Sequence, residues 1–205
     1  ANPPFSLKQW GHENWATDPH RRSEYGGVPP KNQGDYAWVQ HMLASASPDG
    51  GRVGVVMPHG VLFRSGAEAR IRQHLIESDL LEAVIGLPAN LFYGAGIPAC
   101  LLIFRKEKAA GDKGKVRIVD GSKRFVAGRA QNSLSDQDVA ALFEAYTDTD
   151  AEIENVKQAV VDVSEIEAND WDLNIGRYIE QDAAEIIDTA EALKALRQAE
   201  QNTAE

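Results

Sequence analysis

Near its start the chain carries Asn2-Pro3-Pro4-Phe5, and these residue types in this order suit chemistry at a conjugated amino nitrogen. Asn2 can offer a side-chain carbonyl oxygen and Pro3 a main-chain carbonyl. Proline holds that carbonyl at a fixed φ and brings no competing donor. An exocyclic amino group or an amide nitrogen is a poor nucleophile, because its lone pair is delocalised into a π system. Two acceptors that take both of its N–H groups let the nitrogen pyramidalise and turn the lone pair toward a methyl donor. Such stabilisation works by preorganisation and needs no acid or base of tuned pKa. Phe5 adds an aromatic face on which a target ring could stack, and a base in duplex DNA would have to leave the helix to reach it. Asn-Pro-Pro is also an ordinary turn, but the whole tetrapeptide arises by chance in only about one chain in a thousand of this size.

The elements that must hold this motif can be read from periodicity. Residues 6 to 34 are rich in Gly, Pro, His and Asn, with Trp10, Trp15 and Tyr25 interspersed, and follow neither period; they predict a long ordered loop. From Gly34-Asp35, with Asp35 as a possible cap, Tyr36, Val39, Met42, Leu43 and Ala46 repeat at helical spacing up to Pro48-Asp49-Gly50-Gly51. A short strand is expected at Val53 to Met57. A second helix should open at Ser65-Gly66-Ala67-Glu68 and run to about Ser78, with Ile71, Leu75 and Ile76 inward. Strands follow at Leu81 to Leu87, Ala99 to Phe104 and Lys115 to Asp120. Strands that are apolar throughout, alternating with amphipathic helices, predict an α/β layer whose sheet is covered on both faces. No helix separates 81–87 from 99–104, so these two should pair as an antiparallel hairpin. From Ser135 onward a helical, acidic region is expected, with Ser135 capping a helix that carries Val139, Leu142, Phe143 and Tyr146. Glu180 to Gln201 should form a long final helix in which Ile179, Ala183, Ile186, Ala190 and Leu193 make a coiled-coil seam, for a partner or for the chain's own body.

Composition bounds the rest. The 205 residues carry a formal charge of −10, which evenly spread would argue against nucleic acid as a partner. The charge is divided: residues 1–129 hold 17 Lys/Arg against 12 Asp/Glu, a net of +5, and residues 130–205 hold 4 against 19, a net of −15. A basic body suits a polyanion and an acidic tail suits a protein partner or plain solvation. Cys100 is the one cysteine and lies in an apolar run, which points to a core residue in a reducing, cytoplasmic setting. His12, His20, His41, His59 and His74 are scattered away from metal-ligand spacing, so no metal is expected. No apolar run of about 18 residues is present, so no membrane partner is expected. Arg21, Arg22, Lys31, Arg64, Arg70 and Arg72 are candidate phosphate contacts, and Trp10, Trp15 and Tyr25 either line a nucleic-acid groove or anchor their loop.

Asn2-Pro3-Pro4-Phe5 resembles the catalytic motif of amino-group methyltransferases acting on DNA adenine, protein glutamine or RNA guanine. Further stretches narrow this: Tyr25-Gly26-Gly27-Val28-Pro29-Pro30, the run Gly34 to Leu43, Gly51-Arg52 through Met57-Pro58-His59-Gly60-Val61-Leu62-Phe63-Arg64, Gly86-Leu87-Pro88-Ala89-Asn90-Leu91-Phe92-Tyr93 and on through Phe104, and Asn169-Asp170-Trp171-Asp172-Leu173-Asn174-Ile175-Gly176-Arg177-Tyr178. Together, from residue 2 to about 180, they resemble the modification subunit of type I restriction enzymes.

That resemblance implies an N6-adenine DNA methyltransferase subunit that uses S-adenosylmethionine. Its expected partners are double-stranded DNA with a flipped adenine, a specificity subunit bound through the C-terminal helices, and a restriction subunit. Asn2 and Pro3, with Pro4, would bind the adenine amino group and Phe5 would stack on the base. The implied fold is the C-terminal half of a Rossmann-like class I methyltransferase domain, a mixed sheet with a reversed hairpin, over residues 1–130. A helical docking region is expected over 131–205. In the family a glycine-rich donor-binding loop precedes the motif. Here Gly94-Ala95-Gly96 precedes a strand, not a helix, and cannot serve as that loop. The chain is therefore expected to be part of a longer protein and inactive alone. Two alternatives stay open: an assembly module for the specificity subunit, and a protein glutamine or RNA methyltransferase that would need no such subunit.

Overall fold

The computed structural model describes residues 1–93 and 96–179. Five strands, β1 (Arg52–Pro58), β2 (Leu81–Gly86), β3 (Ala99–Arg105), β4 (Lys115–Asp120) and β5 (Lys157–Asp162), form one sheet in the order β1-β3-β2-β4-β5. The expected hairpin is present: β2 and β3 run antiparallel. β3 also lies antiparallel to β1, so it is inserted between β1 and β2. β2 and β4 are parallel, and β4 and β5 antiparallel. Beyond β1, the Ala1 nitrogen donates to the Gly54 carbonyl at 2.6 Å and the Val56 N–H to the Ala1 carbonyl at 2.9 Å, the spacing of a parallel neighbour.

Helices α1 (Asp35–Ser45) and α2 (Ala67–Glu77) lie on one face of this sheet. Their apolar stripes, Tyr36, Val39 and Leu43 on α1 and Ile71, Leu75 and Ile76 on α2, enclose the core with Val55, Met57, Leu102 and Phe104. The stretch from Leu173 to Ile179 closes the same core, so Ile179 packs on the chain's own body. Helix α3 (Asp136–Thr147) covers part of the opposite face, setting Leu142 and Ala145 on Ile85 and Val119. Its start is a capping box between Ser135 and Asp138. A short helix, α4 (Val163–Ala168), follows β5.

Three expectations change. Asp35 does not cap α1, whose N-cap residue is Gly34; its side chain is drawn to another task described below. The region from Ser135 is not helical throughout, because Lys157–Asp162 pairs with β4 as β5. The division at 130/131 thus runs through elements that share one sheet. The apolar strands are also not covered equally on both faces: among the described residues, β1 and β3 leave a groove of about 530 Å3 on the α3 side, lined by Val56, Leu101, Ile103, Val139 and Phe143. The expected helix from Glu180 to Gln201 and its seam beyond Ile179 lie outside the described residues. Within them no helix is long and apolar enough to cross a membrane, and no group of three or more His, Cys, Asp or Glu could hold a metal ion.

Candidate active site

The parallel pairing of Ala1 with β1 directs Asn2-Pro3-Pro4-Phe5 toward the end of the sheet where β1 and β2 finish and β3 begins. Ligands of open α/β sheets bind outside the carboxyl ends of their strands, and the motif occupies that position. Asn2 is exposed and its amide has no partner among the described residues, which leaves its carbonyl oxygen available to a ligand, while Pro3 is partly covered. Phe5, also partly covered, meets the ring of Phe92 edge-on, with centroids 6.0 Å apart and planes at 75°.

Phe92 belongs to the loop that links β2 to β3. That loop is braced from behind, where the Asn132 N–H donates to the Asn90 carbonyl at 2.9 Å and the Asn132 side chain to the Ala89 carbonyl at 3.0 Å. Gln131 donates to the Leu91 carbonyl beside them. Tyr93, next in sequence, is 98% exposed. Neither aromatic stands out by periodicity. The available signal is two adjacent aromatics in a loop directly after a strand that ends at a proline.

Immediately after the motif the chain turns at Ser6, whose φ of 51° is left-handed. Asp35, fully buried, takes the Ser6 N–H at 2.6 Å. Arg64 donates to Asp35 at 2.8 Å and to Glu68 at 3.0 Å. With its amide oxygen turned toward Arg64, Gln33 accepts from the same guanidinium at 2.6 Å. Burial works against the Arg64 charge, but Asp35 and Glu68 outweigh it and hold the guanidinium above its ordinary value. Burial pushes the Glu68 carboxyl up despite the pull of Arg64. Arg72 is buried and donates to the carbonyls of Trp171 at 2.7 Å, Arg64 at 3.0 Å and Val61 at 3.1 Å. Arg64 and Arg72 are therefore occupied inside the protein and drop out of the candidate phosphate contacts. Arg22 is taken by Asp18 at 2.6 Å, and Lys31 and Arg70 remain exposed.

The aromatic residues of the long loop act as anchors. Trp15 is 5% exposed, stacks edge-on with Trp10 at 5.0 Å and lies under the Arg22 guanidinium at 4.2 Å. Trp10 donates to the Pro30 carbonyl at 3.1 Å, and Tyr25 to the Leu43 carbonyl at 3.3 Å. Gly26, at φ 97°, lies so close to α2 that a Cβ would sit 2.7 Å from the Ile71 Cα. At the end of β1, His59 Nε2 is 2.9 Å from the Ala99 carbonyl, and burial pushes its imidazole pKa down. The groove beside α3 offers an almost wholly apolar lining.

Comparison with known proteins agrees with this fold. The family model described as N-6 DNA Methylase matches residues 1–186. The MjaVII type I restriction enzyme methylase subunit of Methanocaldococcus jannaschii is 36% identical over 187 residues, covering 87% of this chain and 32% of that protein. The HindI methylase subunit of Haemophilus influenzae is 32% identical, covering 87% and 40%. Among solved structures, the methyltransferase subunit of a type I restriction-modification system from Streptococcus thermophilus superposes with a TM-score of 0.78 at 35% identity, over 88% of this chain and 37% of that one. The chain spans about a third of the length of the curated relatives it matches. On the family match and these relatives, the chain belongs to the N-6 DNA methylase family.

Proposed function

We propose that this chain forms the target-base side of a DNA adenine N6-methyltransferase, the methylase subunit of a cytoplasmic type I restriction-modification enzyme. The observation that carries the reading is the acceptor pair of Asn2 and Pro3 at the carboxyl end of the sheet, with Phe5 braced by Phe92. Asn2 Oδ1 accepts one N6–H of a flipped adenine and the Pro3 carbonyl the other. Pro4 stiffens the turn between them and Phe5, and Phe5 stacks on the base. Together they stabilise the charge that develops on the nitrogen as its lone pair turns outward. S-adenosylmethionine supplies the methyl group when bound.

By this reading the target sequence is chosen by a specificity subunit and cleavage is done by a restriction subunit. The acidic charge after residue 130 supports docking of residues 131–205 on the specificity subunit, the assembly role kept open above. The family is one of DNA methylases, which disfavours the glutamine and RNA alternatives. In the methylase–specificity complex containing this chain, Asn2→Ala should leave assembly intact and lower methyl transfer by about 10²- to 10³-fold. Retention of the full rate would remove Asn2 from the mechanism.

A further inference from the structure

Three residues separate Asn2 from Ser6, and the motif's geometry depends on how the chain is held at that point. Ser6 is exposed and its backbone is left-handed, a conformation in which a non-glycine residue stays only when its surroundings require it. The requirement comes from a side chain 29 residues away. Asp35 Oδ1 takes the Ser6 N–H at 2.6 Å, and Oδ2 lies 3.4 Å from the Ser6 hydroxyl. Asp35 is the first residue of α1, where an acidic side chain usually serves the helix's own N–H groups. Here it points back to the motif instead.

What fixes Asp35 is also visible. Arg64 Nη1 donates to it at 2.8 Å and is itself held by Glu68 at 3.0 Å. The main chain around Arg64 is tied to the core, since the Arg64 carbonyl accepts from Arg72 at 3.0 Å and the Val61 carbonyl from Tyr36 at 2.8 Å. A second bond, from the Gly34 N–H to the Leu7 carbonyl at 3.0 Å, fastens the next residue to the same helix start. The turn is thus fastened to the helix layer through a buried carboxylate and this backbone bond.

We propose that Asp35 is a positioning residue for the amino-group site. Its carboxylate, oriented by Arg64, sets the turn at Ser6 and through that turn the placement of Asn2, Pro3 and Phe5. This rests on the function proposed above. A displacement of about 1 Å at such a site lowers turnover about a hundredfold.

The test uses the methylase–specificity complex containing this chain, with Asp35→Asn and, to break the turn directly while leaving the core untouched, Ser6→Pro, which removes the N–H donor and cannot hold the left-handed φ. Hydrogen–deuterium exchange of the segment from residue 2 to 8 and steady-state methylation of an adenine-containing duplex are measured together. Both variants should lower kcat about ten- to a hundredfold with KM for DNA within about twofold. In Asp35→Asn the Ser6 amide should also exchange at least about tenfold faster, while exchange in α2 and β3 stays at the wild-type rate. Unchanged kcat and unchanged Ser6 exchange in Asp35→Asn would overturn the proposal. So would faster exchange spread evenly over α2 and β3, which marks loss of fold and not of position. If the wild-type complex transfers no methyl group to adenine, the functional reading fails, and the exchange arm still decides whether Asp35 sets the turn.

Discussion

On one side of β3, Cys100, Leu102 and Phe104 are sealed under α1 and α2; on the other, Leu101 and Ile103 open onto the groove beside α3, where Phe143 is 64% exposed. The residues are equally apolar, and alternate along one strand. The difference lies in what covers them. Burial stabilises by removing apolar surface from water and filling space with close contacts, so the same residue type should count heavily on the sealed face and little on the open one. In urea denaturation of the chain, Phe104→Ala should cost about 3–5 kcal/mol. Phe143→Ala should cost about 0.5 kcal/mol or less. Equal costs would mean that the open face is sealed in solution.

A sharper comparison uses neighbours. Cys100 faces the closed core, and burial pushes its thiol up to about 12. The thiolate is the reactive form, so native protein at pH 8 should resist alkylation by iodoacetamide. A cysteine placed one residue on, by Leu101→Cys in a Cys100→Ala background, should react at least about a hundredfold faster, read by mass spectrometry over time. Similar rates at the two positions would remove the distinction between the faces.

The open groove also marks where the sequence stops being informative. Apolar runs such as 99–104 correctly announce a sheet meant to be covered, and the absence of a helix between 81 and 99 correctly announces the hairpin. Which face is covered depends on elements distant in sequence, and no local pattern carries it. β5 was hidden for a related reason. Its residues, Lys157–Asp162, are only partly buried at a sheet edge, so their acidic, helical neighbourhood outweighs a short alternation. At the site, Asn2-Pro3-Pro4-Phe5 was legible because its chemistry is local. Phe92 and Asp35 were not, since Phe92 acts across 87 residues and Asp35 across 29. Asp35 at a helix start reads as a cap, and only the tertiary contact with Ser6 and Arg64 redirects it.

A smaller effect than the loss at Phe104 lies where α3 begins, on the partly open face, and tests whether that helix holds itself in place by local bonds. Ser135 Oγ accepts from the Asp138 N–H at 3.2 Å, and Asp138 in turn accepts from the Ser135 N–H at 3.0 Å. With two donors satisfied this way, Ser135→Ala should cost about 1 kcal/mol at pH 7 by urea denaturation. The bonds from Ser135, helped by Arg124, hold the Asp138 carboxyl below its ordinary value. A carboxyl lowered on folding stabilises the native state above its unfolded pKa of about 4, and that contribution is lost as pH falls through the lower folded value. Part of the Ser135→Ala cost depends on an ionised Asp138, so it should shrink between pH 7 and pH 3. The bond from the Asp138 N–H does not titrate and should keep the remainder. A cost that stays constant toward acid would show that the Asp138 N–H bond alone carries the cap, and no cost at either pH would show that α3 is held by its contacts with Ile85 and Val119 and not by its own first turn.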